Sequence, residues 1–323
     1  RFTTVRRRPI KGTPPSHATT TVTPMTAPSN LMLIPLLVPL AAIIGACKAR
    51  SMSPLGRLAL ALPISLFFYV VSPWGLAPSY WLRYFVLGGA LFVAVYALTN
   101  GRHSKGRHWG WWRIVAAQAL FFLFLTASAL FPAKESLPSL EIASPFNRGP
   151  YAVVQGGSSP LRNGHVALTA QSRAVDIVEL NKWGSRATTL NPRHVGDFVI
   201  YGAPVFSPCN GTVVTAVTTH PDQPLGSSDT THPAGNYIAI DCGSDTILIL
   251  AHFASGTVAV TEGETVRTGD FLGAVGNSGN TTEPHLHMHA VSLTDGEPLF
   301  EGTPRALSLN GRHLSRNTFF QPE

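Results

Sequence analysis

The sequence predicts two regions of different fold class: about four N-terminal transmembrane α-helices, followed by a mostly antiparallel β domain. Three observations carry this expectation. Four long apolar runs occupy the first 131 residues. Beyond about residue 150 the pattern changes to short β-branched and aromatic runs separated by Gly, Pro, Asn and Asp. Charge divides the same way. Residues 1–139 hold fourteen Lys and Arg against the single acid Glu135, and residues 140–323 hold ten against sixteen, so +13 and −6 make up the net +7.

The apolar runs are residues 31–47, 58–71, 81–98 and 112–131. A helix needs ~20 apolar residues to span the hydrocarbon core. The fourth run meets this length without an acid. The third carries Arg83 only at its rim, where a long side chain can snorkel. The second reaches span length only if Ser72 through Leu76 are added. The first holds Pro35 and Pro39, which membrane helices tolerate.

Orientation follows from the basic residues. Lys48, Arg50 and Arg57 separate runs one and two, and Arg102, Lys105, Arg107 and Arg113 separate runs three and four. The connection between runs two and three has no Lys or Arg before Arg83. The positive-inside bias puts the first and third connections in the cytoplasm and everything after the fourth run outside. Trp74, Trp81, Trp109, Trp111 and Trp112 sit near run ends, as an interfacial belt requires. Arg1, Arg6, Arg7, Arg8 and Lys11 oppose this topology. They lie in an Arg/Thr/Pro stretch ahead of Met25, where the native start is expected. The expected organisation is a disordered tail over 1–30, a transmembrane region over 31–132, a linker over 133–150 and a β domain over 151–323.

A mildly acidic second half does not suit a phosphate-tracking surface, so no nucleic-acid partner is expected. The lipid bilayer is the expected partner of the first half. Nine of the twelve His lie in residues 140–323, and with only three Cys a cysteine metal cluster is excluded. Strands are expected near residues 203–207, 211–217, 237–241, 246–252 and 271–275. The most informative segment is Glu283-Pro284-His285-Leu286-His287-Met288-His289. Alternate residues of a strand share a face, so its three imidazoles point one way.

Several motifs occur in an order that resembles the M23 (LytM/lysostaphin-type) metallopeptidases. They are YGAPVFSPCNGTVV (201–214), GNYIAI (235–240), LAHF (250–253), VRTGDFLG (266–273), VGNSG (275–279) and PHLH (284–287). The resemblance covers about 125 residues, from Asp176 to about Phe300. It implies a compact antiparallel β domain, one zinc ion, and hydrolysis of peptide bonds in bacterial cell-wall peptidoglycan. With the apolar runs and their basic connections, the expected location is the bacterial inner membrane, multi-pass, with the peptidase domain on the periplasmic side.

Carried over by position, the resemblance makes His287 a zinc ligand and His252 and His285 the catalytic pair. The remaining ligands are expected to be Asp176, in the strand-like segment 174–178, and His165, eleven residues earlier. The competing pair is His194 with Asp197, which lies closer together than the family's short motif. Two His and one carboxylate leave a tetrahedral zinc with an open position, as catalytic sites do. Such a zinc lowers the pKa of water and polarises a carbonyl. Non-ligand imidazoles can move protons near neutral pH. Glu283 is expected to cap a turn, and His220, His232, His289 and His313 to be exposed or to lie behind the ligands. The alternative reading is a non-catalytic LytM-type binding or activator module, which the intact set of His252, His285 and His287 disfavours. With the domain outside and the family's corresponding strands adjacent, Cys209 and Cys242 are expected to form a disulfide.

Overall fold

The computed structural model describes residues 33–49, 52–99, 109–130, 138–294 and 296–322. The basic tail, Met25, the cations Arg102, Lys105 and Arg107, and residues 133–137 of the expected linker lie outside them.

Among the described residues of the first half there are four α-helices: α1 Ile34–Lys48, α2 Pro54–Val71, α3 Leu82–Thr99 and α4 Trp109–Leu130. Two of them, Pro54–Val71 and the Arg113–Leu130 part of α4, are long and apolar enough to cross a membrane; Ile34–Lys48 and Leu82–Ala97 are shorter apolar helices. Length and hydropathy thus support two candidate spans where about four were expected. The second run gains its length at the other end from that anticipated. Ser53 accepts a hydrogen bond from the Gly56 N–H at 3.2 Å, and Pro54 suits the first turn, so the helix starts there. Pro73 follows its end, and Trp74–Leu76 forms a separate 3₁₀ turn.

Thirteen strands are described in the second half. They begin with β1 Ser139–Ile142, β2 Tyr151–Gln155, β3 Val175–Glu179, β4 Pro204–Phe206, β5 Gly211–Val217 and β6 Asn236–Asp241. β7 Thr246–Phe253, β8 Thr265–Val266, β9 Phe271–Ala274 and β10 Leu286–Ser292 follow. The last are β11 Thr303–Leu309, β12 Arg312–His313 and β13 Phe319–Phe320. The main sheet runs β13-β2-β3-β10-β7-β6-β5-β8, antiparallel throughout, and β4 pairs with β9 as a small second sheet. β11 pairs antiparallel with β10, and β1, within the stretch read as a linker, pairs in parallel with β11. β7 is buried along its whole length, as a central strand covered on both faces must be. Cys209 and Cys242 form the expected disulfide, with their Cα atoms 5.9 Å apart.

The two regions meet at the α2–α3 connection. Trp74, only 1% exposed, packs with Ala77, Tyr80 and Val86 against Ala152, Val154, Val178 and Leu180 of the sheet. Its role is therefore a packing anchor on the β domain and not the interfacial belt expected of it. A Cβ at Gly75 would lie 2.6 Å from a Val154 methyl, so this close approach requires glycine. The last four carbonyls of a helix lack intrahelical partners. In α2 all four are satisfied: Phe68 by the Ser72 N–H, Tyr69 by Trp74 Nε1, Val70 by Asn317 Nδ2 and Val71 by Arg316 Nη1. Two of these donors come from the β domain.

Candidate metal centre and active site

Antiparallel pairing brings the site together. β10 sits between β3 and β7, with His287 opposite Asp176 on one side and Ala251 on the other. His165 arrives on the 3₁₀ turn Gly164–Ala167, whose first residue follows Asn163. Asn163 is fully buried and donates to the carbonyls of Gly157 and Ala174, which ties this turn to the start of β3. His252, the last residue but one of β7, has φ +69°, an uncommon conformation for a residue with a side chain.

Asp176 is 7% exposed and is surrounded by imidazoles. Its Oδ2 lies 2.9 Å from His165 Nε2, and its Oδ1 lies 2.9 Å from His287 Nδ1 and 3.7 Å from His285 Nε2. The ligand atoms of His165, Asp176 and His287 all lie within 4.8 Å of one another, and those of His252, His285 and His287 form a second such group. His287 belongs to both. The structure therefore brings all five expected residues into one cluster.

The competing pair stays apart from it. Asp197 accepts from the backbone N–H groups of Arg193 and His194 and caps a local turn, while the His194 side chain is exposed.

The tautomers of two imidazoles follow from their partners. His252 Nδ1 lies 2.8 Å from the Ser278 carbonyl, and His285 Nδ1 lies 2.8 Å from the Glu283 carbonyl. A carbonyl only accepts, so both Nδ1 atoms carry a proton, and Nε2 is the acceptor nitrogen of each ring in its neutral form. Their rings are 4.8 Å apart. Burial, reinforced by the neighbouring His285 and His287, pushes the His252 pKa well below the ordinary histidine value. Burial likewise lowers His287 against the pull of Asp176. For His165 burial opposes the charged form, but the Asp176 carboxylate outweighs it and the pKa rises. Burial would raise Asp176, yet the charges of His165 and His285 and two hydrogen bonds hold it well below the carboxylate range. An ionised carboxylate among imidazoles is the state in which these atoms bind a metal. A buried acid whose described ion pairs are all to histidines fits a divalent cation, and zinc takes such N and O donors.

Glu283 was misjudged from sequence, while His289 lies behind a ligand, one of its two expected places. His289 is 1% exposed, and its Nδ1 lies 3.0 Å from His287 Nε2, so it backs the central imidazole. The two-residue period that grouped it with His287 was the available signal. Glu283 does not cap a turn with its carboxylate, which pairs with Arg186 at 2.8 and 3.0 Å. Arg186, far upstream, carried no signal. His313 is exposed, as expected.

An antiparallel β domain with a buried His/Asp cluster and two imidazoles anchored through Nδ1 on carbonyls defines a candidate metallohydrolase. Residues 196–299, about a third of the chain, match the model of peptidase family M23. The matched span contains His252, His285 and His287, whereas His165 and Asp176 precede it.

Similar solved structures include a Pseudomonas aeruginosa chain assigned to peptidase M23, 18% identical with TM-score 0.27, where 49% of each chain is covered. The catalytic domain of lysostaphin from Staphylococcus simulans is 21% identical with TM-score 0.24, covering 34% of this chain and 76% of that one. A zinc-containing peptidase from Vibrio cholerae is 21% identical with TM-score 0.25, covering 56% and 40%. This chain thus spans half or less of the length of the Pseudomonas and Vibrio chains. The search of curated proteins found no match.

Proposed function

We propose that the chain is a membrane-anchored zinc endopeptidase that hydrolyses peptide bonds of bacterial cell-wall peptidoglycan. The observation that carries this reading is the His165–Asp176–His287 cluster with His252 and His285 beside it. His165, Asp176 and His287 would hold the zinc. When bound, the metal supplies Lewis acidity towards the scissile carbonyl and a lowered pKa for water. His289 fixes the ring of His287 from behind, as partners behind a ligand do. His252 and His285, each anchored through Nδ1 on a carbonyl, offer Nε2 to take up or hold a proton.

The membrane reading proposes that α1 and α3 cross along with α2 and α4. On α3, Phe85, Phe92 and Val95 are 73%, 60% and 61% exposed, an apolar surface that suits lipid. The α2–α3 connection and the β domain touch, so both lie on one side of any bilayer. Two crossings, by α3 and α4, satisfy this. The connection is also the one free of Lys and Arg before Arg83, which supports an extracytoplasmic side.

The test uses the full chain purified in detergent. It should carry zinc, release peptides from peptidoglycan, and lose both metal and hydrolysis in His287→Ala and Asp176→Asn. Zinc-loaded protein without hydrolysis would favour the non-catalytic module. Reporters fused after Ala133 and near Lys105 should be active outside and inside respectively; the reverse would overturn the topology.

A further inference from the structure

Between β5 and β6 the chain runs through residues 218–235 with no helix or strand beyond an isolated bridge from Asp222 to Ser278. Connections of this length without regular structure are uncommon in compact domains and are commonly functional. Here the loop is pinned at its edges. Asp222 Oδ1 accepts from the Asn277 N–H at 2.8 Å, and its Oδ2 accepts from the Tyr201 hydroxyl at 2.8 Å. The Asp229 N–H donates to the Gly279 carbonyl at 2.9 Å. The buried Asn236 amide exchanges two 2.8 Å hydrogen bonds with the His220 backbone.

Between these pins three donors converge. The ligand atoms of His220, Asp229 and His232 all lie within 4.8 Å of one another, and the two rings are 4.4 Å apart. Asp229 Oδ1 is taken by the backbone N–H groups of Thr231 and His232, which leaves Oδ2 facing His232 Nδ1 at 3.0 Å. His220 comes from the start of the loop and Asp229 and His232 from one turn near its end, and none belongs to the cluster around Asp176.

We propose that His220, Asp229 and His232 form a second zinc-type metal site that clips the 218–235 loop. Two imidazoles and one carboxylate are a borderline-soft N/O donor set suited to zinc. The site differs from the Asp176 centre in exposure, since the His232 side chain is 48% exposed against 6% for His287. It also lacks the neighbouring carbonyl-anchored imidazoles. Its metal would serve order and not chemistry: closing a long loop removes conformational freedom that the packing alone leaves. The clipped loop lies on the turn whose Ser278 carbonyl orients His252, so the metal would hold one wall of the active site.

The test counts metal on the full chain in detergent, stripped and then equilibrated with Zn²⁺ and dialysed. Wild type should retain two zinc ions, and His220→Ala and His232→Gln one each. His287→Ala should also retain one, and the His220→Ala/His287→Ala double variant none. Cleavage by an Asp-specific protease at Asp222 and Asp229 should quicken several-fold in His220→Ala but not in His287→Ala. One zinc on wild type that His287→Ala loses, or two on His220→Ala, would overturn the site, whereas one zinc that only His220→Ala loses would overturn the Asp176 centre instead. The count does not depend on hydrolysis, so it stands apart from the failure of the peptidase reading.

Discussion

Arg186 and Glu283, 97 residues apart in sequence, form a bidentate ion pair that links the helical half to the active site. Arg186 Nη1 also donates to the Leu76 carbonyl at 2.6 Å in the α2–α3 connection. On the other side, the Glu283 carbonyl accepts from His285 Nδ1 and from the Thr281 hydroxyl. Removing one partner of a buried pair strands a charge and costs about 3–5 kcal/mol. Arg186→Gln should therefore lower the melting temperature and the turnover together. An Arg186→Met/Glu283→Met variant should recover most of the stability, while kcat stays at least tenfold down with KM little changed. Full recovery of kcat in the double variant would show that the pair does not position His285.

If His165, Asp176 and His287 are the zinc ligands, His252→Ala and His285→Ala should keep the metal yet lose roughly 10²–10⁴-fold in rate, the range of a general acid or base. Metal analysis beside the peptidoglycan assay reads both quantities. Loss of metal with either change would move that residue into the ligand set.

Gly75→Val should separate the helical and β regions without touching the catalytic cluster. Its new side chain would collide with Val154, whose methyl already lies 2.6 Å from the position of a Cβ. Overpacking of this kind costs typically 1–3 kcal/mol. Limited proteolysis should then cut the α2–α3 connection faster than in wild type. An unchanged digestion pattern would mean that this contact contributes little to the docking.

The Cys209–Cys242 bridge leaves Cys47 as the free thiol among the cysteines. Denatured, non-reduced protein should titrate with one thiol, and three would show that no bridge forms. Closing a loop of this size stabilises by about 3–4 kcal/mol in the chain-entropy account. Cys209→Ser/Cys242→Ser should lower the denaturation midpoint accordingly.

The helices were legible because hydropathy is a local property, and the strand bearing His287 because alternate residues share a face. Asp176 was found through its β-branched neighbours Val175 and Ile177, which a buried strand requires. The pair His194 and Asp197 imitates a ligand motif in sequence, but its carboxylate is used up by two adjacent backbone N–H groups. What was not legible depends on contacts distant in sequence. Trp74 near a span end reads as an interfacial residue until the sheet is placed over it. Arg186 reads as an ordinary surface cation until Glu283 and Leu76 are brought to it. The start of α2 was the exception, since Ser53-Pro54 is a local cap signal that hydropathy alone passes over.

The capping of α2 by Arg316 and Asn317 bears on how the protein is made. These donors lie 245 and 247 residues beyond the carbonyls they satisfy. At ~5–20 residues per second, a ribosome needs roughly 12–50 s to deliver them after α2 emerges. During that interval the end of α2 has only water for its last two carbonyls, and Trp74 has no sheet to cover it. Until they arrive, Trp74 and the apolar α2–α3 connection lack the strands that cover them in the folded chain.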